Sequence, residues 1–302
     1  MNLIAFFKLI RWKNLLLLLY VQLLLKYVLF PSFKNHGQLS ILQFAIFTSS
    51  LLFITAAGYI INDIFDIESD KINKPRKLIV TKYISVNKAK ALYFIINSVG
   101  VILGIGLSMN LQQPPFSFIF IASSTLLYYY SKKIKGIALL GNLLVSFLIA
   151  FSIYTLGLID FINIVPTKET LILKNTVLVL SIIAFFINFS REIIKDVEDV
   201  KGDYIVNLKT IPILLGTKRS LTIAAYNCLI PIAILSFIII NFSKDFKATC
   251  LYLLFFSLIP LLIIFLKLLK STSKKSIQKL SIALKVIMFF GINSLILFSF
   301  KL

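Results

Sequence analysis

Leu39–Asp70 reads LSILQFAIFTSSLLFITAAGYIINDIFDIESD, an uninterrupted apolar run from Leu39 to Ile61 that ends on Asn62, Asp63, Asp66, Glu68 and Asp70. An apolar helix of about 20 residues, rising 1.5 Å per residue, crosses the roughly 30 Å hydrocarbon core of a bilayer. This run is long enough to do so. It delivers a cluster of carboxylates to the membrane boundary.

A second cluster, Glu192, Asp196, Glu198, Asp199 and Asp203, follows another apolar stretch, and the two together hold nine of the twelve acidic residues. Negative charge gathered beside hydrocarbon needs compensating cations, so ionisable groups placed there are candidates for function. Spacings of 4, 3 and 4 put Glu192, Asp196, Asp199 and Asp203 on one helical face. That requires the short apolar stretch Asn175–Ser190 to continue as helix through Arg191. Asn62, Asp66 and Asp70 likewise repeat every four residues.

The rest of the chain is membrane-like. It has 302 residues, 59% of them hydrophobic, with a mean hydropathy of +0.94. Further apolar stretches at Asn14–Phe30, Ala91–Met109, Leu111–Tyr130, Ile137–Ile159, Asn175–Ser190, Leu221–Phe242, Ala248–Leu266 and Ser281–Phe300 bring the expected spans to nine. With the N-terminus in the cytoplasm, 25 of the 32 Lys and Arg residues fall on the cytoplasmic side, together with both acidic clusters. The first span lacks a cleavage site and reads as a retained helix. No break in composition divides the chain, so residues 1–302 are expected to form one multi-pass domain of the cell (inner) membrane.

Several chemistries are excluded by composition. One histidine, His36, and two cysteines, Cys228 and Cys250, cannot build a zinc, haem or Ser-His-Asp centre. Both cysteines lie in apolar segments and read as small buried hydrophobes. The net charge of +20 is carried by loops facing anionic lipid, so membrane lipid rather than nucleic acid is its expected partner. No obligate protein partner is expected.

Carboxylate and amide oxygens without imidazole or thiolate are hard ligands suited to Mg2+, whose coordination is commonly completed by water and substrate phosphates. Candidate ligands are Asn62, Asp63, Asp66, Asp70, Asp196, Asp199 and Asp203. Two such sets suggest ions bridged by a diphosphate and acting as Lewis acids on its departure. Lys71, Arg76, Lys77, Lys132, Lys133, Lys135 and Lys195 are available for the remaining phosphate oxygens.

Asn62-Asp63-Ile64-Phe65-Asp66-Ile67-Glu68-Ser69-Asp70-Lys71-Ile72-Asn73-Lys74-Pro75-Arg76 resembles the first aspartate signature of the UbiA superfamily of intramembrane prenyltransferases. Arg191–Asp203, followed by Lys209-Thr210-Ile211-Pro212 and Gly216, is similar to the second. Arg11-Trp12-Lys13-Asn14 resembles the first-helix element of that family, with Trp12 in place of a proline, and Tyr130–Asn142 resembles its span 4 to 5 connection. One stretch departs: Lys77-Leu78-Ile79-Val80-Thr81-Lys82 stands where the family has proline, a small apolar residue and Ser-Gly.

The resemblance implies an all-α bundle of nine transmembrane helices with a central cavity open to the cytoplasm and Mg2+ held between the two motifs. It further implies transfer of a prenyl group from a prenyl diphosphate to a lipophilic acceptor, with Asp66, Asp70, Asp199 and Asp203 catalytic. Arg11, Asn14, Lys71, Arg76, Lys132, Lys135 and Lys195 would bind diphosphate or acceptor. Tyr59 and Tyr128 would shield the allylic carbocation with their ring faces. Abundant cations favour an anionic acceptor, and Arg191–Asp203 is similar to the branch that prenylates geranylgeranylglyceryl phosphate. Aromatic acceptors of quinone synthesis, namely 4-hydroxybenzoate, homogentisate or dihydroxynaphthoate, remain open. A divalent-cation transporter is the rival of a different class, disfavoured because the acids sit at helix ends. The glycine-bearing core of CDP-alcohol phosphotransferases is absent.

Overall fold

The computed structural model describes residues 3–33, 37–161, 167–270 and 273–300, the side chain of Lys77 excepted. His36 lies outside them. The described chain is helical, with two isolated β-bridges and no strand. We number the helices α1 (Leu3–Leu9), α2 (Trp12–Ser32), α3 (Ile41–Phe65), α4 (Ile67–Asn73), α5 (Val86–Asn110), α6 (Ser117–Lys132), α7 (Leu140–Asp160), α8 (Lys168–Ile205), α9 (Ile211–Leu215), α10 (Thr217–Phe242), α11 (Lys247–Lys270) and α12 (Lys274–Ser299).

Eight of these, α2, α3, α5, α7, α8, α10, α11 and α12, are long and apolar enough to cross a membrane. The span expected over Leu111–Tyr130 is the shorter α6, 16 residues long and preceded by a 3-10 turn at Pro114–Phe116. Two consecutive prolines there remove the amide donors that a longer α-helix would need. The continuation expected after Ser190 is present: α8 runs unbroken for 38 residues through the second acidic cluster.

Helix starts are encoded locally. Ser40 and Gln43 form a reciprocal capping box on α3, with Ser40 N–H donating to Gln43 Oε1 at 2.9 Å and Gln43 N–H to Ser40 Oγ at 3.2 Å. Ser85 and Ser273 cap α5 and α12. Both π-turns, Leu25–Leu29 in α2 and Leu254–Leu258 in α11, end two residues before a proline, Pro31 and Pro260. Widening the turn relieves the clash between the pyrrolidine ring and the carbonyl one turn earlier.

The chain divides into two compact units. The first comprises Met1–Tyr20, Leu39–Leu144 and Lys201–Lys209. Its centre is the pairing of α3 with α5, where Gly100 permits close approach: a Cβ there would meet Ile54 and Phe53 of α3 at 2.9–3.0 Å. Ser50 Oγ donates to the Gly100 carbonyl at 2.7 Å, so the polar group that a close crossing exposes is satisfied. Ala5, Leu9 and Ile10 pack with Ala57, Ile60, Ile61 and Ile64, and Ile79, Val80 and Ile84 join the same core. The stretch that departs from the family pattern thus contributes apolar packing beneath the first acidic cluster.

The second unit comprises Val21–Gln38, Val145–Val200 and Thr210–Leu302. It contains a buried ion pair, Lys26 Nζ to Asp160 Oδ2 at 2.7 Å, with side-chain exposures of 6% and 0%. Beside it Gln22 Nε2 donates to the Ser152 carbonyl at 3.0 Å. Deeper along α8, Asn227 Nδ2 donates to the Phe186 carbonyl and to Ser190 Oγ, while Ser190 Oγ donates to the Ala224 carbonyl. Cys228 and Cys250 are free and buried, in agreement with the packing role expected of them.

Candidate active site

In the first unit the acidic motif straddles the end of α3. Asn62 and Asp63 occupy its last turn, Asp66 caps it at φ −87° and ψ 3°, and α4 carries Asp70. The hydrogen-bond ladder continues through this joint: Asp66 N–H to Asn62 O at 2.9 Å, Asp70 N–H to Asp66 O at 2.8 Å, and Lys74 N–H to Asp70 O at 2.9 Å. The i, i+4 spacing of Asn62, Asp66 and Asp70 therefore carries across the joint between α3 and α4.

Each inner carboxylate has a cation. Arg11 Nη2 donates to Asp63 Oδ1 at 2.8 Å. Lys135, from the turn after α6, donates through Nζ to Asp66 Oδ2, and Asn62 Nδ2 donates to the same oxygen. Burial works against the positive charges of Arg11 and Lys135. For Arg11 the attraction of Asp63, Tyr59 and Asp66 prevails, and for Lys135 that of Asp66, Tyr130 and Asp203, so both pKa values rise and both groups stay charged. Asp70 is shifted upward by burial, against Lys74 and in concert with Asp66.

Arg11 sits at φ 51°, a left-handed conformation uncommon for a non-glycine residue, at the corner between α1 and α2. Its guanidinium lies 4.7 Å from the ring centroid of Tyr59, whose hydroxyl accepts from Asn14 Nδ2 at 3.3 Å. Arg11, Asn14, Tyr59 and Asp63 thus form one cluster. Tyr128 belongs to another, among Tyr93, Phe65 and Tyr129, with Lys132 Nζ 5.6 Å from its ring centroid.

The end of the second motif reaches the first within this unit. Gly202 N–H donates to Asn73 Oδ1 at 2.9 Å, and a Cβ on Gly202 would run into the Asn73 side chain and the Ser69 carbonyl. Asp203 is buried. Lys209 N–H then donates to the Gly136 carbonyl at 2.9 Å, tying the strap after α8 to the turn that carries Lys135.

Asp196 and Asp199 lie on the part of α8 that belongs to the second unit, where Glu192, buried, is held by Lys195 at 2.8 Å and Arg191 at 3.1 Å. Lys195 is thereby engaged by a carboxylate. Lys71 pairs with Glu68 on the exposed face of α4, and Arg76 is exposed. Of the cations expected at the site, the structure brings Arg11 and Lys135 onto the aspartates. Sequence reading passed over Asn73, although a glycine inside a helix is the kind of signal that marks a close contact.

Among the described residues no three His, Cys, Asp or Glu side chains enclose an ion by themselves. The donors are oxygen atoms only, so they suit a hard cation whose coordination is completed by oxygens of another molecule. On that ground the residues fit Mg2+.

Comparison with known proteins identifies the family. Digeranylgeranylglyceryl phosphate synthase of Saccharolobus solfataricus is 39% identical over 171 residues, 57% of this chain and 56% of that protein. The chain thus spans little more than half the length of that relative. The synthase of the same name from Methanococcus maripaludis is 31% identical over 75% of this chain and 73% of its own. A solved structure described as digeranylgeranylglyceryl phosphate synthase in membranes superposes with a TM-score of 0.65 at 26% identity, covering 99% of both chains. The UbiA homolog from Archaeoglobus fulgidus, solved with DMAPP and Mg2+, shares the fold, with a TM-score of 0.59 at 17% identity and coverage of 96% and 99%. The UbiA prenyltransferase family pattern matches residues 23–293, which takes in both acidic motifs and the helices that carry them, and the chain belongs to this family.

Proposed function

We propose that this protein transfers a prenyl group, geranylgeranyl by preference, from its diphosphate to geranylgeranylglyceryl phosphate in ether-lipid synthesis. The observation that carries the reading is the pairing of oxygen-only acidic groups with half-buried cations at the end of α3: Asp63 with Arg11, Asp66 with Lys135. A site that must hold a diphosphate and a second phosphate needs both signs of charge at close quarters.

Asn62, Asp63, Asp66, Asp70, Asp196, Asp199 and Asp203 would hold Mg2+, which supplies Lewis-acid stabilisation of the departing diphosphate. Arg11, Lys132 and Lys135 bind phosphate oxygens, with Asn14 orienting Arg11 through Tyr59. The aromatic group around Tyr128 excludes water from the allylic cation and attracts it through ring faces. Relatives named digeranylgeranylglyceryl phosphate synthase support the acceptor choice. The cation distribution supports a cytoplasmic site in the cell (inner) membrane.

The deciding assay offers geranylgeranyl diphosphate together with geranylgeranylglyceryl phosphate, 4-hydroxybenzoate, homogentisate and dihydroxynaphthoate, with products identified by mass spectrometry. The ether-lipid product is expected. Preferential prenylation of an aromatic acceptor rejects this acceptor while leaving prenyl transfer standing, and divalent-cation flux into proteoliposomes without turnover rejects both. Introduced cysteines in the 71–90 or 201–218 loops should resist an impermeant thiol reagent added outside intact cells.

A further inference from the structure

We propose that Lys135 and Arg11 are resident counter-ions that compete with the divalent cation for Asp66 and Asp63, and that their displacement couples metal binding to diphosphate binding. The inference rests on the functional reading above but concerns a property it does not require. Asp66 Oδ2 already accepts from two donors, Lys135 Nζ and Asn62 Nδ2, and Asp63 Oδ1 accepts from Arg11. Both lone pairs of Asp66 Oδ2 are engaged, so a cation that takes this oxygen as ligand must remove a donor from it. At Asp63 Oδ1, with one donor, the competition is between the charge of Arg11 and that of the ion.

The charges balance. Asp63 and Asp66 carry two negative charges, and Arg11 and Lys135 supply two positive ones. One divalent ion replaces both, which releases two side chains whose charge the diphosphate then needs. Their geometry allows this, because the Lys135 and Arg11 side chains are 22% and 36% exposed whereas Asp66 and Asp63 are 11% and 16% exposed. The carboxylates are held by the helix end, and the longer cationic side chains are the parts free to swing. Arg11 keeps a second anchor on the Tyr59 ring.

A consequence distinguishes this from a static structural pair: removing the counter-ion should move two affinities in opposite directions. Mn2+ binding to the purified protein in detergent, read by electron paramagnetic resonance, should tighten about two- to fivefold in Lys135→Met, the scale of a solvent-accessible ion pair. With Mn2+ saturating, binding of a non-transferable geranylgeranyl thiolodiphosphate should weaken about tenfold or more, as expected for a lost charge-assisted contact. Lys135→Arg, which keeps the charge, should stay near wild type in both measurements. Unchanged or weaker Mn2+ binding in Lys135→Met overturns the inference, and so does a Lys135→Arg variant that behaves like Met. If Lys135→Met does not fold, Arg11→Gln decides by the same two measurements at Asp63. A wild-type protein that binds neither Mn2+ nor the analogue removes the functional reading itself, whereas wild-type binding with both affinities reduced in the variant removes only the competition.

Discussion

Asn73 Oδ1 accepts the N–H of Gly202 at 2.9 Å, joining the end of the first acidic motif to the end of the second. Gly202→Ala would ordinarily favour a helix by roughly 1 kcal/mol. Here the new methyl meets Asn73 and the Ser69 carbonyl, so the expected outcome is the opposite, a destabilisation of about 1–3 kcal/mol. Thermal unfolding in detergent reads the sign directly. A gain in Tm would show that the contact does not constrain the site.

Asp66→Asn, Asp70→Asn, Asp196→Asn and Asp199→Asn should each reduce turnover by at least about a hundredfold, the scale on which a lost electrostatic contact to the transition state acts. The variants should still insert in the membrane. EDTA should abolish wild-type turnover and added Mg2+ restore it. Wild-type rates in two or more of these variants would sink the metal assignment.

The Lys26–Asp160 pair predicts an asymmetric set of stabilities. Lys26→Met or Asp160→Leu alone strands a buried charge and should destabilise by about 3–5 kcal/mol, whereas the double substitution should recover most of that loss. Denaturation of the four proteins in one detergent supplies the cycle. A loss in the double substitution equal to the sum of the two single losses would mean that the pair makes no direct coupling.

Asp70 carries a pKa raised by burial, so the folded state binds its proton more tightly than the unfolded chain. The sign follows: any stabilising contribution is present below the ordinary value of 3.8 and is lost as pH rises through the folded-state pKa. At neutral pH the ionised group therefore opposes folding. Asp70→Asn should raise Tm at pH 7 by roughly one to a few degrees and by less near pH 4, while removing activity. A lower Tm at pH 7 would contradict the assignment of burial as the larger effect.

Much was legible in the chain because membrane folding imposes simple periodic rules. Leu39–Ile61 announces a spanning helix by length and apolarity alone, since any backbone in hydrocarbon must satisfy its own hydrogen bonds. The 4, 3, 4 spacing of Glu192, Asp196, Asp199 and Asp203 needed only continuation of the helix past Ser190, and α8 supplies it. Oxygen-only ligands narrow the metal class before any coordinate is known. The paired prolines at Pro114 and Pro115 sit where α6 begins late.

What only tertiary structure decided is pairing. Seven or more cations were equivalent candidates along the chain, and a lysine has no sequence signature for its partner. Packing brings Lys135 to Asp66 across 69 positions and Arg11 to Asp63 across 52, while Lys71 turns to Glu68 on an exposed surface. Lys26 falls within the expected span Asn14–Phe30 with no local signal of a partner, and it lies buried against Asp160, 134 positions away. Local rules, set by backbone geometry within a turn or two, act on neighbours. Which distant charges meet depends on how helices cross, and that is settled by side-chain volumes such as the missing Cβ of Gly100 and Gly202, summed over the whole packed core.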